Sequence, residues 1–132
     1  MYSMVKIILT NASTPKKSWW YFKFRETTDS KITSTDETFK KLISENKLVL
    51  VDFWASWCSP CKALAPVLES ISDEIKECKI LKHDLDSQPN IPTAEGIRSI
   101  PTLYLYKDGK HVETIVGFQE HSKISSVIKK HL

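Results

Sequence analysis

Two cysteines separated by two residues, Cys58-Ser59-Pro60-Cys61, stand just behind an apolar run and just ahead of a helical pattern. Thiols at that spacing fall on one helical turn, so a disulfide between them can close and open without moving the fold. A cysteine at a helix start meets unsatisfied amide N–H groups and the positive end of the helix dipole. Both favour the thiolate over the thiol. Pro60 suits the first turn, where a missing N–H costs nothing. Cys58, at the exposed helix start, is therefore the expected nucleophile, and Cys61, one turn inside, the expected resolving thiol. The intervening Ser59 and Pro60 set how well the Cys58 thiolate is stabilised, and hence the redox potential. Asp52 is a carboxylate in the middle of a run that reads as buried. Desolvation raises its pKa and makes it a candidate proton acceptor for Cys61. Trp57 is placed to shield the surface beside Cys58, and Trp54 to pack behind it.

A zinc site is the competing chemistry, since Cys58, Cys61, Cys78 and His83 have a passable ligand spacing. It fails on reach. Read as the far end of the helix that begins at Cys58, Cys78 lies roughly 25 Å away at 1.5 Å per residue, beyond one tetrahedral ion. No metal is expected, and Cys78 reads as a spectator thiol at a helix end. His83, His111, His121 and His131 are scattered and read as structural or solvated.

The elements that must position this chemistry are legible in order. Lys31–Thr33 is a short edge strand. Ser34 and Glu37, three apart, form a capping-box signature for a helix carrying Phe39, Leu42 and Ile43 to about Asn46. Leu48–Trp54 is rich in β-branched and aromatic residues, the pattern of a strand covered on both faces. After the cysteine pair, Leu64, Val67, Leu68, Ile71 and Ile75 give one apolar face of a long helix that Pro66 should kink. Lys79–Asp84 reads as a strand, Thr93–Glu95 as a short helix closed by Gly96, and Thr102–Tyr106 as a strand. Asp108-Gly109 is a two-residue hairpin signal leading into His111–Val116. Glu120–Leu132 closes the chain as a helix with Ile124, Val127 and Ile128 facing in. The order β-α-β-α-β-α-β-β-α predicts an α/β fold, with a central mixed β-sheet flanked by helices on both faces.

At 132 residues, 41% hydrophobic and 27% charged, the chain has the size and composition of one globular domain. The net charge of +3 is unevenly placed. Residues 1–30 carry five basic groups (Lys6, Lys16, Lys17, Lys23, Arg25) and two acids (Glu26, Asp29), leaving fourteen of each sign for residues 31–132. The balanced part has no net field to draw nucleic acid or a membrane surface. No apolar run approaches the ~20 residues of a membrane span. Three cysteines are too few for a secreted disulfide framework, and Val5–Leu9, broken by Lys6, is too short for a secretory signal. A reducing, cytoplasmic location follows as the expectation.

Residues 1–30 read as an N-terminal extension, loosely ordered, ahead of a domain at 31–132. The extension is basic, acid-free up to Glu26, and gathers Trp19, Trp20, Tyr21, Phe22 and Phe24 in one cluster. An organellar transit peptide, which would place the protein in the mitochondrial matrix, is an alternative. A segment contacting a membrane surface or a partner is another.

Asp52, Trp54, Ala55, Trp57, Cys58, Pro60, Cys61, Lys62, Ala65 and Pro66 together resemble the thioredoxin family. Gly96-Ile97-Arg98-Ser99-Ile100-Pro101-Thr102 resembles its cis-proline segment, and Asp108-Gly109 and Val116-Gly117 its last hairpin. The resemblance runs from about Lys31 to the C-terminus and implies the thioredoxin fold. It implies that Asp52 accepts the proton of Cys61 and that Lys82 stands beside this acid. It also implies that Pro101 is cis and faces the cysteines, and that Trp57, Ile100, Pro101 and Gly117 border the surface where a protein disulfide docks. Two positions depart from the family pattern: Ser59 where glycine is usual, and Glu95 where an aromatic is common. The implied activity is reduction of protein disulfides by dithiol–disulfide exchange, with no cofactor beyond the Cys58–Cys61 disulfide. A monomer recharged by an NADPH-linked thioredoxin reductase is the implied setting. An oxidase or isomerase on the same fold, or a binding module within a larger complex, are the rival readings; turnover and redox potential separate them.

Overall fold

The structure is a computed structural model that describes residues 31–132. The expectations for residues 1–30 lie outside the described residues. Five strands form one sheet: β1 (Lys31–Ser34), β2 (Leu48–Trp54), β3 (Cys78–Asp84), β4 (Thr102–Lys107) and β5 (Lys110–Val116). Their spatial order is β1-β3-β2-β4-β5. β1, β3 and β2 run parallel; β4 pairs antiparallel to β2, and β5 pairs antiparallel to β4. The helices are α1 (Phe39–Glu45), α2 (Ser59–Glu74), α3 (Asn90–Ala94) and α4 (His121–Lys129). The expected mixed sheet with helices on both faces is what forms.

β2 is central because its sequence is apolar at both phases of the pleat. Leu48 and Leu50 face a core shared with Leu64, Leu68 and Ile71 of α2 and Ile124 and Ile128 of α4. Val49, Val51 and Phe53 face the opposite core with Phe39 and Ile43 of α1, and Ile91 of α3 packs at its margin. β4 alternates the same way, Leu103 and Leu105 to the first core and Tyr106 to the second. Each Leu or Ile so buried contributes roughly 1.5–3 kcal/mol. By this parity Asp52 and Trp54 stand on the face that α2 and α4 cover. Asp108 (φ 51°) and Gly109 (φ 83°) both take positive φ, as a type I′ hairpin turn requires.

Three local expectations change. Ser34 does not cap α1: it ends β1 with its side chain in the core, and its Oγ lies 2.9 Å from His83 Nδ1. The reciprocal cap forms one residue later, where Thr35 N donates to Thr38 Oγ1 (2.9 Å) and Thr38 N to Thr35 Oγ1 (3.1 Å). The short helix begins at Asn90 rather than Thr93, because Asp36 reaches across to accept from the amides of Asn90 (3.0 Å) and Ile91 (2.9 Å). Cys78 is not at a helix end. It opens β3, fully buried, in register with Leu48.

Candidate active site

β2 ends at Trp54, the chain turns through Ala55–Trp57, and α2 begins with Cys58 as its N-cap. Cys58 and Cys61 are joined as a disulfide with Cα atoms 5.2 Å apart. The Cys61 amide donates to Cys58 Sγ at 3.1 Å. One of the orphan N–H groups of the helix start is thus aimed at the sulfur expected to act as nucleophile, which is how a helix start lowers a thiol pKa. Ser59 and Pro60 follow, both exposed, with Pro60 inside the first turn.

The cysteines are less open than a bare helix start suggests. Cys58 keeps 5% of its surface exposed and Cys61 3%, so exposure does not separate their roles. The separation lies in the N-cap position and the amide bond. Cys58 is covered because Ile100 and Trp54 pack against the small cluster it forms with Ala55 and Cys61. The Ile100–Pro101 bond is cis, as expected. The carbonyl oxygen of Ile100 lies 3.8 Å from Cys58 Sγ, so the loop faces the disulfide directly. Gly117 N donates to the Pro101 carbonyl at 2.7 Å and ties the end of β5 to this loop. Gly117 has φ +82°, which makes glycine the fitting residue there, although a Cβ would meet nothing within 4 Å. Trp57 (67% exposed) before Cys58, and Val116 and Phe118 on either side of Gly117, are exposed apolar side chains.

Asp52 is 1% exposed. Its Oδ2 accepts from Lys82 Nζ at 3.0 Å, and its Oδ1 has no hydrogen-bond partner among the described residues. Burial pushes the Asp52 carboxyl above its ordinary pKa, and the Lys82 ammonium only partly offsets this. A carboxylate with one oxygen uncommitted and a raised pKa is suited to taking up a proton.

Cys78 stands apart. It is in register with Leu48 at one end of β2, whereas Cys58 follows Trp54 at the other end. Six residues of strand, about 20 Å, separate those ends. Burial pushes the Cys78 thiol up to about 12. His83 is also fully buried, held by Ser34, by Asp36 (Nε2 to Oδ1, 3.1 Å) and by the Gln88 carbonyl (3.1 Å). Phe39 and Phe53 meet its ring edge-on. Of the two roles read from the sequence, structural or solvated, full burial leaves the structural one.

One residue near the site was not singled out in the sequence. Asp86 Oδ2 accepts from Trp57 Nε1 at 2.9 Å and fixes the exposed indole beside Cys58. Asp86 is itself held in a turn, its amide donating to Asp84 Oδ1 at 3.0 Å. The only signal was an Asp-x-Asp at the end of a strand flanking the cysteine strand.

A disulfide capping a helix, faced by a cis-proline loop and backed by a buried carboxylate on the central strand, defines a dithiol–disulfide oxidoreductase. The chain belongs to the thioredoxin family, whose sequence model matches residues 30–130. It is 48% identical over 100 residues to the thioredoxin of Rickettsia felis, a match covering 74% of this chain and 95% of that protein. It is 50% identical over 99 residues to the thioredoxin of Listeria monocytogenes, covering 74% and 95%. Among solved structures, a mutant thioredoxin from Halobacterium salinarum superposes with TM-score 0.74 at 33% identity, covering 79% of this chain and 92% of that one. The thioredoxin of Plasmodium falciparum superposes with TM-score 0.72 at 37% identity, covering 77% and 99%.

Proposed function

We propose that this chain is a protein-disulfide reductase in which Cys58 attacks, Cys61 resolves and Asp52 moves the proton between steps. The Cys58 thiolate attacks one sulfur of a substrate disulfide; that S–S bond breaks, a mixed disulfide forms, and one substrate thiolate leaves. Cys61 then gives its proton to Asp52 and attacks Cys58 Sγ. The mixed disulfide breaks, the Cys58–Cys61 disulfide forms, and the second substrate thiolate leaves and is protonated. Two electrons pass from the protein dithiol to the substrate, so the redox group is the cysteine pair itself and no further cofactor is called for.

The observation that carries the reading is the Cys61 amide donating to Cys58 Sγ at the N-cap of α2, opposite the cis-proline loop. It stabilises one sulfur as thiolate and leaves the other as the resolving thiol. Trp57, Ile100, Pro101 and Gly117 form the docking rim in this reading, with the backbone beside Pro101 pairing to an extended substrate segment. Lys82 limits how far burial raises Asp52, and Ser59 and Pro60 tune the potential. The oxidised protein is recharged by a thioredoxin reductase. The setting is the cytoplasm, with the protein acting as a monomer; the reductive direction of the chemistry supports a reducing compartment.

Single-cysteine variants test the assignment. Cys58→Ser abolishes reduction of insulin disulfides, whereas Cys61→Ser accumulates a covalent mixed disulfide through Cys58. First alkylation at Cys61 in the reduced native protein would reverse the roles.

A further inference from the structure

Lys82 has two partners, not one. Besides donating to Asp52 Oδ2, its Nζ lies 5.1 Å from the centroid of the Trp54 ring, within cation–π range. The Lys82 side chain is only 20% exposed, with its ammonium beside a carboxylate and a ring. Trp54 also packs against the Ala55–Cys58–Cys61 cluster, which sets this one indole between that cluster and the lysine. Its Nε1 is buried and has no hydrogen-bond partner among the described residues, so no hydrogen bond fixes the indole. Strand register sets up the arrangement. Asp52 is in register with Lys82, and Trp54, two residues on and on the same face, with Asp84.

We propose that Trp54 is a positioning residue whose ring holds the Lys82 ammonium against Asp52. A lysine stem is long and flexible, and an ammonium with a single partner can leave it for water. With the ring in place, the ammonium stays over the acid while the disulfide opens and closes beside it. Other groups around the pair do not substitute for the ring. The β4 neighbour of Asp52 is Leu103, and the β1 neighbour of Lys82 is Thr33, both uncharged. At the start of α2, Cys58 and Cys61 are joined as a disulfide and carry no charge, Lys62 is exposed, and further along Glu69 is engaged by Lys31. Asp84 on β3 is committed to the Asp86 amide. Loss of the ring therefore frees Lys82 towards solvent and leaves burial of Asp52 less opposed.

The inference rests on the proposed role of Asp52 in proton transfer, but its first test does not. In the unmodified protein the ε-methylene protons of Lys82 should resonate upfield of their solvent-exposed position, because they lie over an aromatic face. Unshifted protons would overturn the proposal. The second test follows the Asp52 carboxyl by carbon NMR as a function of pH, together with single-turnover release of a mixed disulfide preformed on Cys58. Trp54→Leu should move the Asp52 titration to higher pH and slow release near neutrality about two- to fivefold, the loss of a cation–π contact. Trp54→Phe, which keeps a ring, should move both less. In a Lys82→Met background, Trp54→Leu should add nothing to either readout. An equal shift with and without Lys82 would show that the indole acts on Asp52 by packing alone and would overturn the proposal. A shifted titration with unchanged release would leave the lysine placement standing and instead count against the proton-transfer role of Asp52.

Discussion

Asp52 sets a conflict between stability and chemistry that can be measured. Its folded pKa is raised by burial above the unfolded value of about 3.9, so the folded state holds its proton to higher pH than the unfolded state does. Stability contributed by this group is therefore complete in acid and is lost as pH climbs through the folded value. Asp52→Asn keeps an acceptor for Lys82 and removes the buried charge. It should stabilise the fold near neutral pH, converge with the parent protein near pH 4, and slow release of mixed disulfides. Denaturant unfolding at a series of pH values checks this, and a stability difference that does not change with pH would refute it. Cys78 makes the opposite case, a thiol without chemistry. It is the one cysteine outside the disulfide, fully buried, with its thiol pushed up to about 12. A maleimide should leave the oxidised native protein unlabelled and add one label after denaturation. Labelling of the native protein would show that β3 opens at its start.

At the scale of elements, three packed pieces are tied by groups far apart in the chain. His83 on β3 bridges Ser34 at the end of β1 and Asp36 beyond it, while Asp36 caps α3 through Asn90 and Ile91. Partial desolvation works against the Asp36 charge, but the Ile91 and Asn90 amides and His83 outweigh it and hold the carboxyl below its ordinary pKa. Its contribution is present at neutral pH and is lost as pH falls through that lowered value. Asp36→Ala should cost about 1 kcal/mol, the usual loss of a helix cap, and speed hydrogen exchange at the Asn90 and Ile91 amides more than elsewhere. Uniform acceleration across the sheet would mean that Asp36 supports the whole fold and not α3. Such ties mark where a sequence reading stops. β2, the cysteine pair and the Asp108-Gly109 turn were legible because strand pattern, helix start and turn chemistry are local. Ser34 and Glu37 also carried a local signal, a capping box, and it misled. The pairing of β1 with β3 brought His83 to Ser34, and the cap moved to Thr35 and Thr38. The start of α3 and the Asp86 clamp on Trp57 carried no short-range signal, because their partners lie 55 and 29 residues away. Asp52 was readable for a different reason: an acid in an apolar strand is anomalous wherever its partner sits, whereas Lys82 came only with the family resemblance.

For the whole molecule the question is how much chain the chemistry needs. The family match begins at residue 30, and every residue given a role lies within residues 31–132. Within that span the sheet has its five strands, both faces are covered by helices, and two separate cores are filled. The charge divides at the same place: residues 31–132 carry equal numbers of acids and bases, and the net +3 of the chain resides in residues 1–30. Deleting residues 1–29 should therefore leave disulfide reduction intact, shift the melting temperature by no more than about 5 °C, and abolish the net positive charge that retains the full chain on a cation exchanger. The contrary case has a specific source. Trp19, Trp20, Tyr21, Phe22 and Phe24 carry enough apolar surface to add a few kcal/mol if they dock on the domain. At about 4–8 °C per kcal/mol for a domain of this size, docking would appear as a drop of 10 °C or more on truncation. Melting and turnover measured together separate the outcomes. Unchanged turnover with a large drop in melting temperature makes the aromatic cluster a structural brace. Loss of both makes the first thirty residues part of the working fold and overturns the boundary at residue 31.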